Sequence, residues 1–165
     1  MDTKVALVIG AGDATGGAIA KRFAREGFTV CVTRRNGDKL APLVDAIEAA
    51  GGRAHGFGSD ARREEEVIDL IETIERDIGP IEVFVYNVGA NSPMSILDET
   101  ARRYFKIWEL ACMGGFLNGR EVAKRMVKPD LQYMTDGGQA SNKLVIGTGV
   151  QLLLIAIIFG MMHAK

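Results

Sequence analysis

The chain is poor in the residues that staple small proteins. Its two cysteines, Cys31 and Cys112, are too few for a disulfide framework. Its two histidines, His55 and His163, leave a structural zinc site short of ligands at the usual spacings. No charge sign dominates: 20 basic residues meet 21 acidic ones, for a net charge of -1. That balance argues against broad nucleic-acid binding, which needs a basic surface to displace counterions. The start, MDTKVALVIGAG, is not a signal peptide, because Lys4 precedes only a short apolar run and no small-residue cleavage site follows. There is no internal repeat, low-complexity tract or charge block. What is present is 165 residues, 47% hydrophobic and 25% charged. These suit one globular, intracellular domain with a core.

From Lys4 onward, strand-length apolar runs alternate with helix-period stretches. Strands are expected at Lys4–Ile9, Thr29–Thr33, Arg53–Gly58 and Glu82–Tyr86. Helices are expected at Gly16–Glu26, Asp38–Ala50, Arg62–Ile78 and, as one long element, Glu99–Val127. Leu40, Leu43, Val44 and Ile47 mark the apolar face of the second, and Val67, Leu70, Ile71, Ile74 and Ile78 that of the third. The β-α-β-α-β-α-β-α order implies α/β class: a doubly wound parallel sheet with right-handed crossovers and helices on both faces. Ligands of such sheets bind beyond the carboxyl ends of the strands, near the switch in strand order.

The first strand runs into GAGDATGGA, residues 10–18. A glycine-rich turn between a strand and a helix offers a phosphate unpaired amides and the positive end of the helix dipole. Gly10 would allow the tight turn, Gly12 close backbone approach, and Gly16 packing of helix on strand. Thr15 could add a hydroxyl, and Asp13 lies in the same turn. An acid about twenty residues on would mark NAD(H). Here the second strand ends Thr33-Arg34-Arg35. Arg34 and Arg35 could grip a 2′-phosphate, which favours NADP(H) over NAD(H), or they could be two solvated loop arginines. The third strand ends at Ser59-Asp60-Ala61, where Asp60 could accept from an adenine amino group or cap the helix at Arg62. The fourth ends Tyr86-Asn87-Val88-Gly89. Asn87 could tie adjacent strands while Gly89 keeps the floor low beneath a nicotinamide ribose.

VALVIGAGDATGGAIAKRFAREG, the Asp60-Ala61 pair, YNVGAN and GGFLNGREVAKRM together resemble the short-chain dehydrogenase/reductase family over about residues 4–127. The resemblance implies a Rossmann fold of strand order 3-2-1-4, extended by a fifth strand if one follows, a nicotinamide cofactor, and hydride transfer to or from a carbonyl or alcohol. It also implies oligomers built through helix 99–127. The chain departs from the family at Ala14, where glycine is usual, and at Ala111, where an asparagine usually helps hold a proton-relay water. The family's serine with a Tyr-x-x-x-Lys pair is missing: Tyr86, Tyr104 and Tyr133 are followed four residues on by Ala90, Trp108 and Gly137. With Lys143–Thr148 as the fifth strand, Thr148 takes the serine's place, and Met161 and Lys165 fall at the tyrosine and lysine. A thioether has no proton to give.

Residues 1–127 thus read as a dinucleotide-binding domain, 128–143 as a polar linker and 144–165 as a hydrophobic tail. Leu144–Ala164 is uncharged and would span about 30 Å as a helix, the thickness of a bilayer core. It is expected either as a C-terminal membrane anchor or as a buried strand followed by a buried helix. Three functional readings follow. One is an NADP(H)-binding Rossmann protein without autonomous catalysis, cytoplasmic or tethered as a subunit of a membrane assembly. The second is an NADP(H)-dependent oxidoreductase with a non-standard or partner-supplied acid. The third is a truncated, non-functional product.

Overall fold

The computed structural model describes residues 3–126 and, as backbone, residues 144–147. β1 (Val5–Ile9) lies at the centre of a parallel sheet with β2 (Thr29–Arg34), β3 (Arg53–Gly58), β4 (Ile81–Tyr86) and β5 (Leu144–Gly147). The order is β3-β2-β1-β4-β5, every adjacent pair parallel. β1 is buried along its whole length because both faces of the sheet are covered. The strand's alternation sends Val5, Leu7 and Ile9 into one core and Ala6 and Val8 into the other. The first core holds Val67, Leu70, Ile71 and Ile74 of α3 (Glu64–Asp77). The second holds Ala20 and Ala24 of α1 (Thr15–Arg25) and Ile47 of α2 (Ala41–Ala49). A register shift between Val5 and Ala6 pairs them with Ile81 and Val83, skipping Glu82.

Three expected helix starts move, each for a local reason, and the fourth helix is interrupted. The second helix begins as a 3-10 turn, Gly37–Leu40, and becomes α-helical only at Ala41. The Asn36 side chain accepts from the Asp38 amide at 3.1 Å, and Pro42, with no N–H, sits in the first α turn. The third helix starts at Glu64 rather than Arg62, because the Asp60 carboxylate accepts from the Arg62 amide at 3.1 Å and Arg63 stays extended. Asp60 therefore does not cap a helix at Arg62. Three glutamates fill the first turn of α3, where the dipole favours them. The long element starts at Ala101, its first turn capped by the Thr100 hydroxyl on the Arg103 amide at 3.2 Å. It is interrupted: α4 (Ala101–Trp108) passes through a π turn, Glu109–Met113, into α5 (Gly114–Met126).

β5 corrects the reading of residues 144–164 as one membrane-crossing helix. Leu144 to Gly147 pair with Val83 to Tyr86, so the first four residues of the apolar run extend the sheet. Their backbone groups meet the hydrogen-bonding edge of β4, which a helix starting at Leu144 would leave unused. Among the described residues no helix is long and apolar enough to cross a membrane. The expected linker at 128–143, the rest of the tail, and Thr148, Met161 and Lys165 lie outside the described residues.

Candidate functional site

β1 ends at the switch in strand order, and the chain turns there on Gly10 at φ +82°. A Cβ at Gly10 would stand 2.7 Å from both the Asn87 carbonyl oxygen and Val88 Cγ2. The Gly10 and Ala11 amides both donate to the Thr33 carbonyl, at 3.1 and 3.0 Å, holding the turn against β2. Gly16 packs its Cα face onto the Gly10 carbonyl and within 2.9 Å of Asn87 Nδ2, measured from where a Cβ would sit. Gly17, which sequence reasoning passed over, does the same against the Gly12 carbonyl at 2.5 Å. Its amide donates to that carbonyl at 2.8 Å. Gly12 is different: a Cβ there meets nothing within 4 Å.

A helix leaves its first amides without intrahelical partners. In α1 the Gly17 amide finds Gly12 and the Ala18 amide finds Ala14, at 3.0 Å. The amides of Ala14, Thr15 and Gly16 have no acceptor among the described residues, and Ala14 as N-cap brings no side chain to fill them. Three free amides, the open face of Gly12 and the positive end of α1 converge on one spot. That spot suits an anion. Thr15 and Asp13 are both exposed beside it.

The ends of β2 and β3 bring the charges. Arg34 Nη1 lies 3.7 Å from Asp13 Oδ1 and donates to the Lys39 carbonyl at 3.5 Å. Arg35 is exposed and has no ion-pair partner among the described residues. Asp60 is held by a residue that sequence reasoning did not connect to it. Arg62 donates from Nε to Oδ1 at 2.9 Å and from Nη2 to Oδ2 at 2.6 Å. That hydrogen-bonded guanidinium, helped by the Arg62 amide and the charge of Arg35, holds the Asp60 carboxyl down at about 2 against partial burial. Arg62 also reaches Glu109 of the π turn at 3.6 Å. Ala61 is buried, and its carbonyl accepts from Asn118 Nδ2 of α5 at 3.0 Å.

At the end of β4, Asn87 does tie adjacent strands. Its amide donates to the Ile9 carbonyl at 2.9 Å and its side-chain Nδ2 to the Gly10 carbonyl at 3.2 Å. Gly89 faces open space. Tyr86 is fully buried, and its hydroxyl donates to the Leu110 carbonyl in the π turn at 2.7 Å. A Cβ at Gly114 would strike that hydroxyl, so the glycine admits the phenol against the helix. Burial, with the Asp60 charge nearby, pushes the Tyr86 phenol upward, so it stays protonated. Neither this latch nor Asn118 carries a local pattern that sequence could signal.

The structure therefore brings Gly10, Gly12, Asp13, Thr15, Gly16, Arg34 and Asn87 around one turn. Arg35, Asp60 and Ala61 line the adjoining strand ends, and Gly89 leaves the end of β4. The sequence model described as short chain dehydrogenase matches residues 4–132. A short-chain dehydrogenase/reductase of Armillaria gallica is 35% identical over 126 residues, 75% of this chain and 48% of its own length. Sorbitol-6-phosphate 2-dehydrogenase of Escherichia coli is 30% identical over 131 residues, 78% of this chain and 51% of its own. The solved short-chain dehydrogenase of Rhodopseudomonas palustris is 40% identical with a TM-score of 0.77, covering 99% of this chain and 79% of that one. Actinorhodin polyketide ketoreductase, solved with NADPH, is 25% identical with a TM-score of 0.74, covering 89% and 54%. The chain spans about half the length of the curated relatives it matches.

Proposed function

Because the chain belongs to the short chain dehydrogenase family, we propose that its cleft binds a nicotinamide dinucleotide, NADP(H) ahead of NAD(H). The observation that carries this is the convergence of the free Ala14, Thr15 and Gly16 amides with the open face of Gly12. These amides would hold the pyrophosphate, with Thr15 adding its hydroxyl. Arg34 and Arg35 would meet a 2′-phosphate at the end of β2, and Asp60 and Ala61 would border the adenine. Asn87 keeps the turn fixed while Gly89 leaves room at the nicotinamide end. The bound nicotinamide supplies hydride chemistry.

No Tyr-x-x-x-Lys occurs in the 165 residues, and Tyr86 is buried with its proton engaged. We therefore read these residues as the cofactor-holding part of a reductase rather than as a carrier of its acid/base. An apolar face on the long helical element, with Tyr104, Phe105, Trp108 and Phe116 exposed, supports self-association through that helix.

Titrating NADPH and NADH into the full chain while following the melting temperature tests this reading. A ligand at 100 times its dissociation constant adds about 2.7 kcal/mol to the folded state, so a clear upward shift is expected. NADPH should act at lower concentration than NADH, and Arg34→Ala with Arg35→Ala should remove that advantage. A melting temperature indifferent to both dinucleotides would refute the reading. Light scattering of Trp108→Glu against the parent chain tests the apolar face, the variant being expected to lose mass per particle.

A further inference from the structure

The segment after β3 touches both the proposed adenine position and the π turn. The Asp60 carboxylate takes its hydrogen bonds from Arg62 alone among the described residues: the amide and Nε on Oδ1 at 3.1 and 2.9 Å, and Nη2 on Oδ2 at 2.6 Å. A carboxylate offers roughly four acceptor positions, so one is left, on Oδ2. The Asp60 amide is fixed on Glu66 Oε2 at 2.7 Å, which leaves any rearrangement to the side chains. On its other side, Arg62 Nη1 stands 3.6 Å from Glu109 Oε2 at the start of the π turn. That is an ion pair, but too long for a hydrogen bond. Arg62 thus sits between two carboxylates and is closed on only one of them.

The π turn is the element such a rearrangement would move. α4, which leads into it, has no buried residue, so little packing opposes a shift. Beyond Glu109 the chain is fastened at separate points. The Leu110 carbonyl accepts from the Tyr86 hydroxyl at 2.7 Å, and Asn118 Nδ2 donates to the Ala61 and Gly114 carbonyls at 3.0 and 2.8 Å.

We propose that Arg62 is a positioning residue that couples the adenine end of the dinucleotide site to the π turn: an adenine amino group donating to Asp60 Oδ2 loosens Nη2 there, and the guanidinium closes on Glu109. This rests on the cofactor reading above. The exchange leaves no charge unpaired, since the guanidinium moves from one carboxylate toward another while adenine supplies Asp60 with a new donor. Without Glu109 the guanidinium has no second partner, stays on Asp60 and competes with adenine. Coupling of this kind is reciprocal, so whatever moves the π turn changes the affinity for the dinucleotide.

The test compares NADP+ with the same dinucleotide carrying hypoxanthine, which has an oxygen where adenine has its amino group. Both are titrated by calorimetry into the full chain, Glu109→Gln, Arg62→Gln and the double variant. Glu109 is partly exposed, so its variant should melt like the parent. Glu109→Gln should weaken NADP+ about two- to fivefold and leave the hypoxanthine dinucleotide unchanged. In the Arg62→Gln background Glu109→Gln should change neither affinity. Trp108, the single tryptophan, precedes Glu109 and stacks on Phe105 with ring centroids 5.6 Å apart, so its emission reports on the π turn. NADP+ should shift that emission in the parent. The shift should be lost in Glu109→Gln and with the hypoxanthine dinucleotide. Equal NADP+ affinity in parent and Glu109→Gln, or equal weakening of both dinucleotides, overturns this inference and leaves the cofactor reading standing. Failure of both dinucleotides to bind the parent chain overturns both.

Discussion

Replacing Gly12 by alanine separates what the glycine turn does for the fold from what it does for a ligand. The new methyl would meet no heavy atom within 4 Å, and Gly12 does not occupy the positive-φ region. Alanine there should restrict the unfolded chain and leave stability equal or higher by about 0.4–1 kcal/mol. For a chain of this size that is an unchanged melting temperature or a rise of about 1–4 °C. The same methyl would fill the space through which a pyrophosphate reaches the Ala14, Thr15 and Gly16 amides. Losing two charge-assisted hydrogen bonds at roughly 1.5 kcal/mol each predicts about a hundredfold weaker NADPH binding. Gly10→Ala should behave in the opposite way. Its φ of +82° and the 2.7 Å approaches to Asn87 and Val88 add left-handed strain to overpacking. Together these cost about 2–5 kcal/mol, a loss of roughly 5–15 °C. Thermal melts with and without NADPH read both effects. If Gly12→Ala bound NADPH as the parent does, the phosphate would not pass Gly12 and the reasoning would fail.

The Tyr86 latch predicts that Tyr86→Phe, which leaves the Leu110 carbonyl without its donor, loses about 1–2 kcal/mol in urea unfolding. Gly114→Ala, pushing a methyl into the same hydroxyl, should lose about 1–3 kcal/mol, and the double variant clearly less than the sum. Asp60 is held at about 2, below its unfolded value, so its contribution is full above pH ~4 and disappears as pH falls toward 2. Asp60→Asn should therefore cost about 1–2 kcal/mol at neutral pH, and its stability should converge with the parent's near pH 2 in acid titrations. Cys31 is fully buried in β2, its thiol pushed up to about 12 by burial. In a Cys112→Ser background, iodoacetamide should label Cys31 only when denaturant unfolds the chain.

The elements that sequence located well are those whose signal is local. Val5–Ile9 between Lys4 and Gly10 is an apolar run closed by a glycine, and β1 follows it to within one residue. The apolar period of Val67, Leu70, Ile71 and Ile74 placed α3's buried face correctly. Its start was misplaced because the Asp60–Arg62 interaction, not helix propensity, sets where the helix can begin. The same holds for the long element: its periodicity runs unbroken, while the π turn sits where the Tyr86 hydroxyl, distant in sequence, meets the Leu110 carbonyl. Gly10 and Gly16 were legible as one turn because strand-turn-helix chemistry requires them, and Asn87 as a tie between adjacent strands. Arg62 and Asn118 were not, since an arginine after an aspartate and an asparagine on a helix are common in any exposed segment.

With the family resemblance supplying the 3-2-1-4 order, spacing and turn residues were enough to find four strands alternating with helices and to put the glycine turn at the end of the first. Those features follow from backbone sterics and from the two periods of buried side chains, which act within a few residues. Contacts between distant segments decided the rest: the pairing of Asp13 with Arg34, the clamp of Arg62 on Asp60, and the fate of Leu144–Gly147. Apolar attraction has no direction, so LVIG would suit a lipid bilayer as well as a protein interior. Hydrogen bonding does have direction, and the open edge of β4 drew those residues into the sheet.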